Sequence, residues 1–566
     1  MSETLEPATE YARDCSSPNH PPPYKQKHKH LNITTISTRE DFSDLSAAAQ
    51  PQADIMADLP ETPVHPAQSI GFFYLGATIH HILTRIKSEP SRFPKIQLIY
   101  SPSEPLVHQA IISLPKNGMR LTFDGPEQRL RLIEVLDFQL SRLSYKNATT
   151  IFKHEDYPSL TGPPFRHIYQ KFGPTTQGEF LPEDGDRGKY CISWPGIAFW
   201  FPLQAPPNFA QKDWANTISD LSSNACGAAV SMAIFDGETW PDARKTIFTS
   251  DMSADFLRAP VPASRKDGVP AEVERAKVYD RGRIELVRRG ETPSFWIYLS
   301  ETTQQDLLTE LGPPDSTYKK TSKYTSPHRH HSTSSTATRP LAIDSGSSSN
   351  SEADDASAWS DEEDDDPDSA IAPGEKKEDL GTWWNYYTHG LDILISTPTR
   401  ISKRSPTSAE SGTDESEDDS SVVTPRNHLT VTKVIVHGNV PGSYQFNRHR
   451  RLQWSLESYP SPDHSHTGAL TSEMKFRDIQ GRLREVFRSV YEDEAEEKAQ
   501  QEPMAINRDW GEGSSMGGSV EFLEGFEGGE KGMSNSVNIG EVLVYGFPGL
   551  GFEVLRNGVV GILQVW

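Results

Sequence analysis

KIQLIYSPSEPLVHQAIISLPKNGMRLTFDGPEQRLRLIEVLDF, residues 95–138, carries the clearest structural pattern in the chain. It holds four apolar runs, KIQLIY (95–100), LVHQAIISL (106–114), GMRLTF (118–123) and LRLIEVLDF (130–138). Branched and aromatic side chains alternate there with polar ones, and turn residues separate the runs, so the pattern predicts an antiparallel meander. Lys116-Asn117-Gly118 suits a tight hairpin because Asn and Gly tolerate positive φ, and Asp124-Gly125-Pro126 marks the next reversal. Upstream, Leu75, Ile79, Ile82, Leu83 and Ile86 recur at helical spacing and Pro94 ends the run. The local unit is a short helix followed by strands.

The same grammar is read three more times. A helix around PFRHIYQKFGP (164–174), stopped by Gly173, precedes YCISW and GIAFWFPL at 190–203. TTQQDLLTELGPP (302–314) precedes WWNYY (383–387), GLDILIS (390–396) and TVTKVIVHG (430–438). FRDIQGRLREVF (476–487) precedes SVNIGEVLVYGF (536–547), GLGFEVL (549–555) and GVVGILQVW (558–566). AAVSMAIF (228–235) and RIELV (283–287) read as bridging strands. The expected fold is α+β: repeated units of a short helix plus an antiparallel β-meander, interrupted by long disordered insertions.

Composition locates those insertions. The chain has 566 residues and a formal net charge of -23, with a mean hydropathy of -0.60. Ser351–Asp368 carries ten acidic residues and no basic one, Ser408–Asp419 six and none, and Tyr491–Glu502 six against one Lys, so three runs hold 21 of the 23 charges. The remainder is nearly neutral and lacks the basic field of a nucleic-acid binder. The expected division is a disordered arm at 1–66 and an N-terminal part of the fold at 67–316, with an acidic, Ser-rich insertion at 317–380. Strands of the third unit follow at 381–396, a second insertion at 397–427, and third-unit strands with the fourth helix at 428–491. An acidic and Gly-rich linker at 492–535 and C-terminal strands at 536–566 complete it. Loop insertions cost little because closure entropy grows only logarithmically with length. The acids beside Ser357, Ser360, Ser411 and Ser416 suit a phosphorylation-tuned tether, and equally a plain one.

Chemistry is sparse. There is no Walker loop or HExxH. Cys15, Cys191 and Cys226 are too few and too scattered for a disulfide framework or a Cys-based zinc site. No run reaches the 18 to 20 apolar residues of a membrane helix, and the first residues lack a signal pattern, so cytosol is the expected compartment. GEGSSMGG (511–518) lacks the apolar helix that should follow a phosphate loop and reads as a linker. His80 and His81 point about 100° apart on a helix and cannot share a metal as an i, i+4 pair does. His328, His330 and His331 sit in a Ser/Thr-rich linker, where solvation is the bland reading. Asp124 and Asp392 stand near strand ends, where carboxylates are catalytic or merely organise turns and edges, the second reading being preferred. No catalytic, cofactor-binding or metal residue is assigned, and no enzyme activity is expected.

Two surfaces stand out instead. Trp383, Trp384, Tyr386 and Tyr387 alternate faces on a strand, so half of them suit a core and half a partner-binding face. Arg448, His449, Arg450 and Arg451 form the one basic run in the ordered part, and Arg forks suit phosphate oxygens, which makes a phosphoinositide headgroup the candidate ligand against a charge-paired edge.

IQLIYSPSEPLVHQAIISLPKNGMRLTFDGPEQRLRLIEVLDF (96–138) closely resembles the opening block of the phagosome assembly factor family. The resemblance continues in order through PNFA (207–210), DLLTELGPP (306–314), WWNYYTHGLDILIS (383–396) and VHGNVPGSYQFNRHRRLQW (436–454). The large Ser-rich acidic insertions are where this chain departs from compact animal members. What the resemblance implies is a non-catalytic scaffold in autophagy, acting with a WD-repeat β-propeller partner at phosphoinositide-bearing phagophore assembly sites. An older reading of related sequences implies Golgi-to-plasma-membrane transport, with a Golgi or trans-Golgi location. A hydrolase or lipid-transfer protein, the rival of another class, requires a deep apolar cleft with convergent polar groups.

Overall fold

The computed structural model describes residues 61–146, 149–153, 157–183, 187–204, 214–223, 226–249, 272–290, 292–321, 379–397, 429–459, 468–507, 520–524 and 541–566. Most of the expected arm and of the insertions at 317–380 and 397–427 lies outside them. The fold is α+β, with helices against mainly antiparallel sheets.

Two large sheets carry the molecule. In the first, the strands Ile96–Tyr100, Ala110–Leu114, Met119–Phe123 and Leu130–Val135 form one meander, and Glu179–Pro182, Arg187–Trp194, Ile197–Gln204 and Ser231–Phe235 form a second. The meanders join through their last strands, with Ile133 opposite Ile234. In the second sheet Ser316–Thr321, Asp379–Tyr386, Leu391–Ser396 and Thr430–His437 form one meander, and Met504–Asn507, Glu541–Phe547, Leu550–Leu555 and Val560–Val565 the other. Their last strands join likewise, with Val436 opposite Leu563. The strand Val520–Glu524 adds in parallel to Ile96–Tyr100.

Two smaller sheets share an order of their own. In one, the strand Thr62–His65 of a three-stranded meander runs parallel to Leu143–Tyr145; in the other, Val273–Tyr279 runs parallel to Gln453–Leu456. The helices Ile79–Lys87 and Phe165–Phe172 serve the first large sheet, and Gln304–Glu310 and Phe476–Phe487 the second. Thr78 caps its helix by accepting from the His81 amide, and Ile79, Ile82, Leu83 and Ile86 are buried along one stripe. Each such side chain contributes about 1.5–3 kcal/mol by leaving water. Thr303 and Asp306 close a reciprocal capping box. Gly173, at φ 84, ends the second helix, and Gly118, at φ 61, makes the expected hairpin turn.

The hydrophobic residues divide into two main cores. One is built from residues 64–234 together with Phe446, the other from 273–565. The grouping expected from sequence, one N-terminal part running to 316, therefore differs: Val273–Tyr279 belongs with the second core because its parallel neighbour is Gln453–Leu456. The segment expected as a linker at 492–535 also holds structure. Asp493 accepts from the Glu496 amide and opens the helix Glu494–Gln500, whose Glu, Ala, Lys and Gln residues are good helix formers.

Candidate functional site

The two cores meet at a junction made by the turn at 124–131 and the loop at 438–452, both taken from the segments that carry the family resemblance. Asp124 builds the turn. Its Oδ1 accepts from the amides of Glu127 at 3.0 Å and Arg129 at 3.2 Å, and its Oδ2 from Arg131 Nε at 2.5 Å. This buried carboxylate has a structural role at the reversal.

That turn presents Gln128 to the loop. Gln128 Nε2 donates to the Asn439 carbonyl at 2.8 Å, and Asn439 Nδ2 donates back to Gln128 Oε1 at 2.9 Å. Asn439 and Asn447 take φ of 45° and 64°, which Asn tolerates, and the Asn447 amide donates to Asn439 Oδ1 at 2.7 Å. The loop so shaped inserts Phe446, 5% exposed, into the first core. Gly442, at φ 82, lies where a Cβ would meet the Tyr100 hydroxyl at 2.3 Å. Leu106, Val440 and Val559 close a small apolar cluster beside it.

Buried charges complete the junction. Glu272 pairs with Arg129 from the first half and with Arg450 from the second, the latter at 2.9 Å. Burial alone would raise its carboxyl, but the guanidinium groups of Arg450, Arg129 and Arg289 overcome that and hold it down to about 2. Arg450 also donates to the Val273 carbonyl at 2.7 Å. Arg451 donates to the carbonyls of Pro126 at 2.7 Å and Gly438 at 2.9 Å, and to Glu473 at 3.0 Å.

The basic run is thereby corrected. Arg450 and Arg451 spend their forks on internal carboxylates and carbonyls, and His449 is buried at 2% exposure, so only Arg448 faces solvent. Four consecutive residues cannot all face outward where the loop turns inward. Behind Arg448 sits His80, which burial lowers to about 4 against a raising hydrogen bond to the Arg448 backbone.

The aromatic run divides by face. Tyr386 lies in the second core at 1% exposure, its hydroxyl donating to the Gly312 carbonyl at 3.1 Å, and Trp384 packs against the same core. Tyr387 meets the His449 ring edge-on at 4.8 Å. Trp383 points to the other side of the sheet, between its cross-strand neighbours Tyr318, 57% exposed, and Leu394.

Sequence reading missed a cluster on that same side. Asp392 Oδ2 lies 2.9 Å from His437 Nε2, and Asp392 Oδ1 lies 2.8 Å from His449 Nε2. The two imidazoles stack at 3.6 Å with planes 3° apart. Burial would raise the Asp392 carboxyl, but bonds from both histidines hold it well below the carboxylate range. Burial lowers His449 to about 4 despite its bond to Asp392. Asp392 was visible in sequence as a strand-end carboxylate; its partners were not, because 45 and 57 residues separate them from it. A pocket of about 20 Å³ opens beside the rings, lined by Asn439, Gln445 and Glu553 among others. That volume suits a water or an ion. Among the described residues no helix is long and apolar enough to cross a membrane.

Comparison with known proteins finds relatives of the chain by sequence. The family model described as phagosome assembly factor 1 matches residues 69–341 and 422–566, which takes in both cores and both sides of the junction. An Arabidopsis thaliana PHAF1 protein is 25% identical over 406 residues, 70% of this chain and 74% of that one. A Caenorhabditis elegans PHAF1 protein is 32% identical over 130 residues, 23% of this chain and 29% of its own. A Drosophila melanogaster PHAF1 protein is 30% identical over 133 residues, 24% of this chain and 28% of its own. No solved structure matches. With a family match over well more than half its length, the chain belongs to the phagosome assembly factor 1 family.

Proposed function

We propose that this protein is a non-catalytic scaffold of phagosome assembly in autophagy, recruited from the cytoplasm with a WD-repeat β-propeller partner to the phagophore assembly site. The observation that carries the assembly role is the family match across both cores. The propeller partner and the recruitment site rest on the sequence resemblance and on the surfaces the fold leaves open. The face around Trp383 and Tyr318 is the one we assign to the partner, since Trp384 and Tyr386 pack on the second core and Tyr387 packs on the His449 ring. With Arg450 and Arg451 committed internally, we assign contact with a phosphoinositide membrane chiefly to the partner, with Arg448 available to join it. We read the common strand order of the two halves as a duplicated module of helix-plus-meander units.

The test is affinity purification of the tagged full chain from starved cells, beside its Trp383→Ala variant. A propeller protein recovered in near-equal amount with the parent and lost with the variant is the expected result. Retention by the variant moves the partner surface away from Trp383. Recovery of Golgi coat or exocytic proteins alone moves the function to secretion, and recovery of no partner overturns the scaffold reading.

A further inference from the structure

Three features of the Asp392 cluster go beyond what holding the fold requires. First, its donors come from three separate elements: Asp392 from the strand Leu391–Ser396, His437 from the end of Thr430–His437, and His449 from the junction loop. One ligand atom from each lies within 4.8 Å of the others. Second, the carboxylate is largely buried, and among the described residues its ion-pair partners are the two imidazoles, neither a permanent cation. A buried carboxylate without a cation is costly. Third, His449 Nδ1 is buried without a hydrogen-bond partner, so the ring's polar capacity is half used.

We propose that Asp392, His437 and His449 form a binding site for a divalent first-row transition ion of the zinc class, with a water completing the coordination from the adjacent pocket. Two imidazoles and one carboxylate are a donor set such ions take, and a three-ligand protein site keeps one position open. The pocket beside the rings is of one-water size, and its lining includes Glu553, Asn439 and Gln445, polar groups suited to hold that water.

The ion-free geometry also says what binding changes. Tetrahedral ligands about 2.0–2.1 Å from zinc stand about 3.3 Å from each other, against 2.8 and 2.9 Å between nitrogen and oxygen here. Both Nε2 atoms face the one carboxylate, so an ion there takes the Nε2 lone pairs of two neutral rings, each keeping its single proton on Nδ1, and the rings rotate apart about χ2. The loop carrying His449 is the one that bonds Gln128 and inserts Phe446. A bound ion therefore ties the sheet to the junction loop.

The experiment uses the full chain, stripped with chelator, dialysed and titrated with cobalt(II) and zinc(II). His328→Ala, His330→Ala and His331→Ala are introduced into every sample, so that the histidine-rich stretch does not compete. Expected are one equivalent bound, visible d–d absorption of low-symmetry cobalt that zinc displaces, and a melting temperature that rises with added zinc. Asp392→Asn and His449→Gln should each weaken binding at least tenfold and abolish the cobalt spectrum. Circular dichroism of each ion-free variant reports whether it is folded. Less than 0.2 equivalents bound by the parent, or an unchanged spectrum in both folded variants, overturns the proposal.

Discussion

Gln128 and Asn439, 311 positions apart, exchange hydrogen bonds in both directions inside the protein. Neither has a second chance at water, since they are 1% and 5% exposed. Gln128→Ala removes both bonds at once and strands the Asn439 amide, for an expected loss of about 1–3 kcal/mol. Urea unfolding measures it. In the Gln128→Ala/Asn439→Ala double variant the loss should be smaller than the sum of the two singles, because they act on one contact.

Glu272 gives the junction a defined acid sensitivity. Its carboxyl is depressed from about 4.5 to about 2 in the folded protein. Its contribution is therefore complete above the unfolded value and is lost as pH falls from about 4.5 toward 2. Glu272→Gln leaves the Arg129 and Arg450 guanidinium groups without their shared carboxylate and should cost about 3–5 kcal/mol at pH 7. It should also flatten the stability profile across that window. An unchanged slope between pH 5 and 2 in the variant would count against this assignment.

Phe446 tests whether the loop inserts as a plug. Phe446→Ala empties a site in the first core from a residue of the second half, for an expected loss of about 3 kcal/mol. Hydrogen exchange should accelerate in the strand Ile96–Tyr100, whose Tyr100 lies against Gly442, as well as in the loop itself. Acceleration limited to the loop would mean that the two cores are energetically separate.

Trp383 and Tyr386 should respond oppositely. Trp383→Ala, on the open face, is expected to change unfolding free energy by less than about 0.5 kcal/mol, while partner capture falls. Tyr386→Phe removes one buried bond to Gly312 and should cost about 1 kcal/mol with capture unaffected.

Local elements were legible in the sequence because their determinants are local. The apolar stripe of Ile79, Ile82, Leu83 and Ile86 and the positive φ at Gly118 and Gly173 need only neighbouring residues. The junction was not legible, since Glu272 meets Arg129 across 143 positions and Gln128 meets Asn439 across 311. Pairings at such separations leave no period in the chain. The Arg450 and Arg451 pair misled for the same reason: Arg in a turn reads as solvent-facing until the carboxylates that receive it are placed. The helix Glu494–Gln500 was hidden by its acidity, which resembles that of a linker.

The way Phe446 crosses from one core to the other bears on how this protein can be taken apart. A cut between residues 249 and 272 would give two fragments whose shared face holds a plug, an amide pair and three arginines that reach across it, Arg129 to Glu272, Arg289 to Glu127 and Arg451 to the Pro126 carbonyl. Such a face is that of an obligate heterodimer written as one polypeptide. Each fragment alone would leave polar groups of that face without their partners across it, so truncations made to map a binding region would report on misfolding. Co-expressed, the two should find each other without a covalent link, which makes this chain a natural candidate for a split reporter.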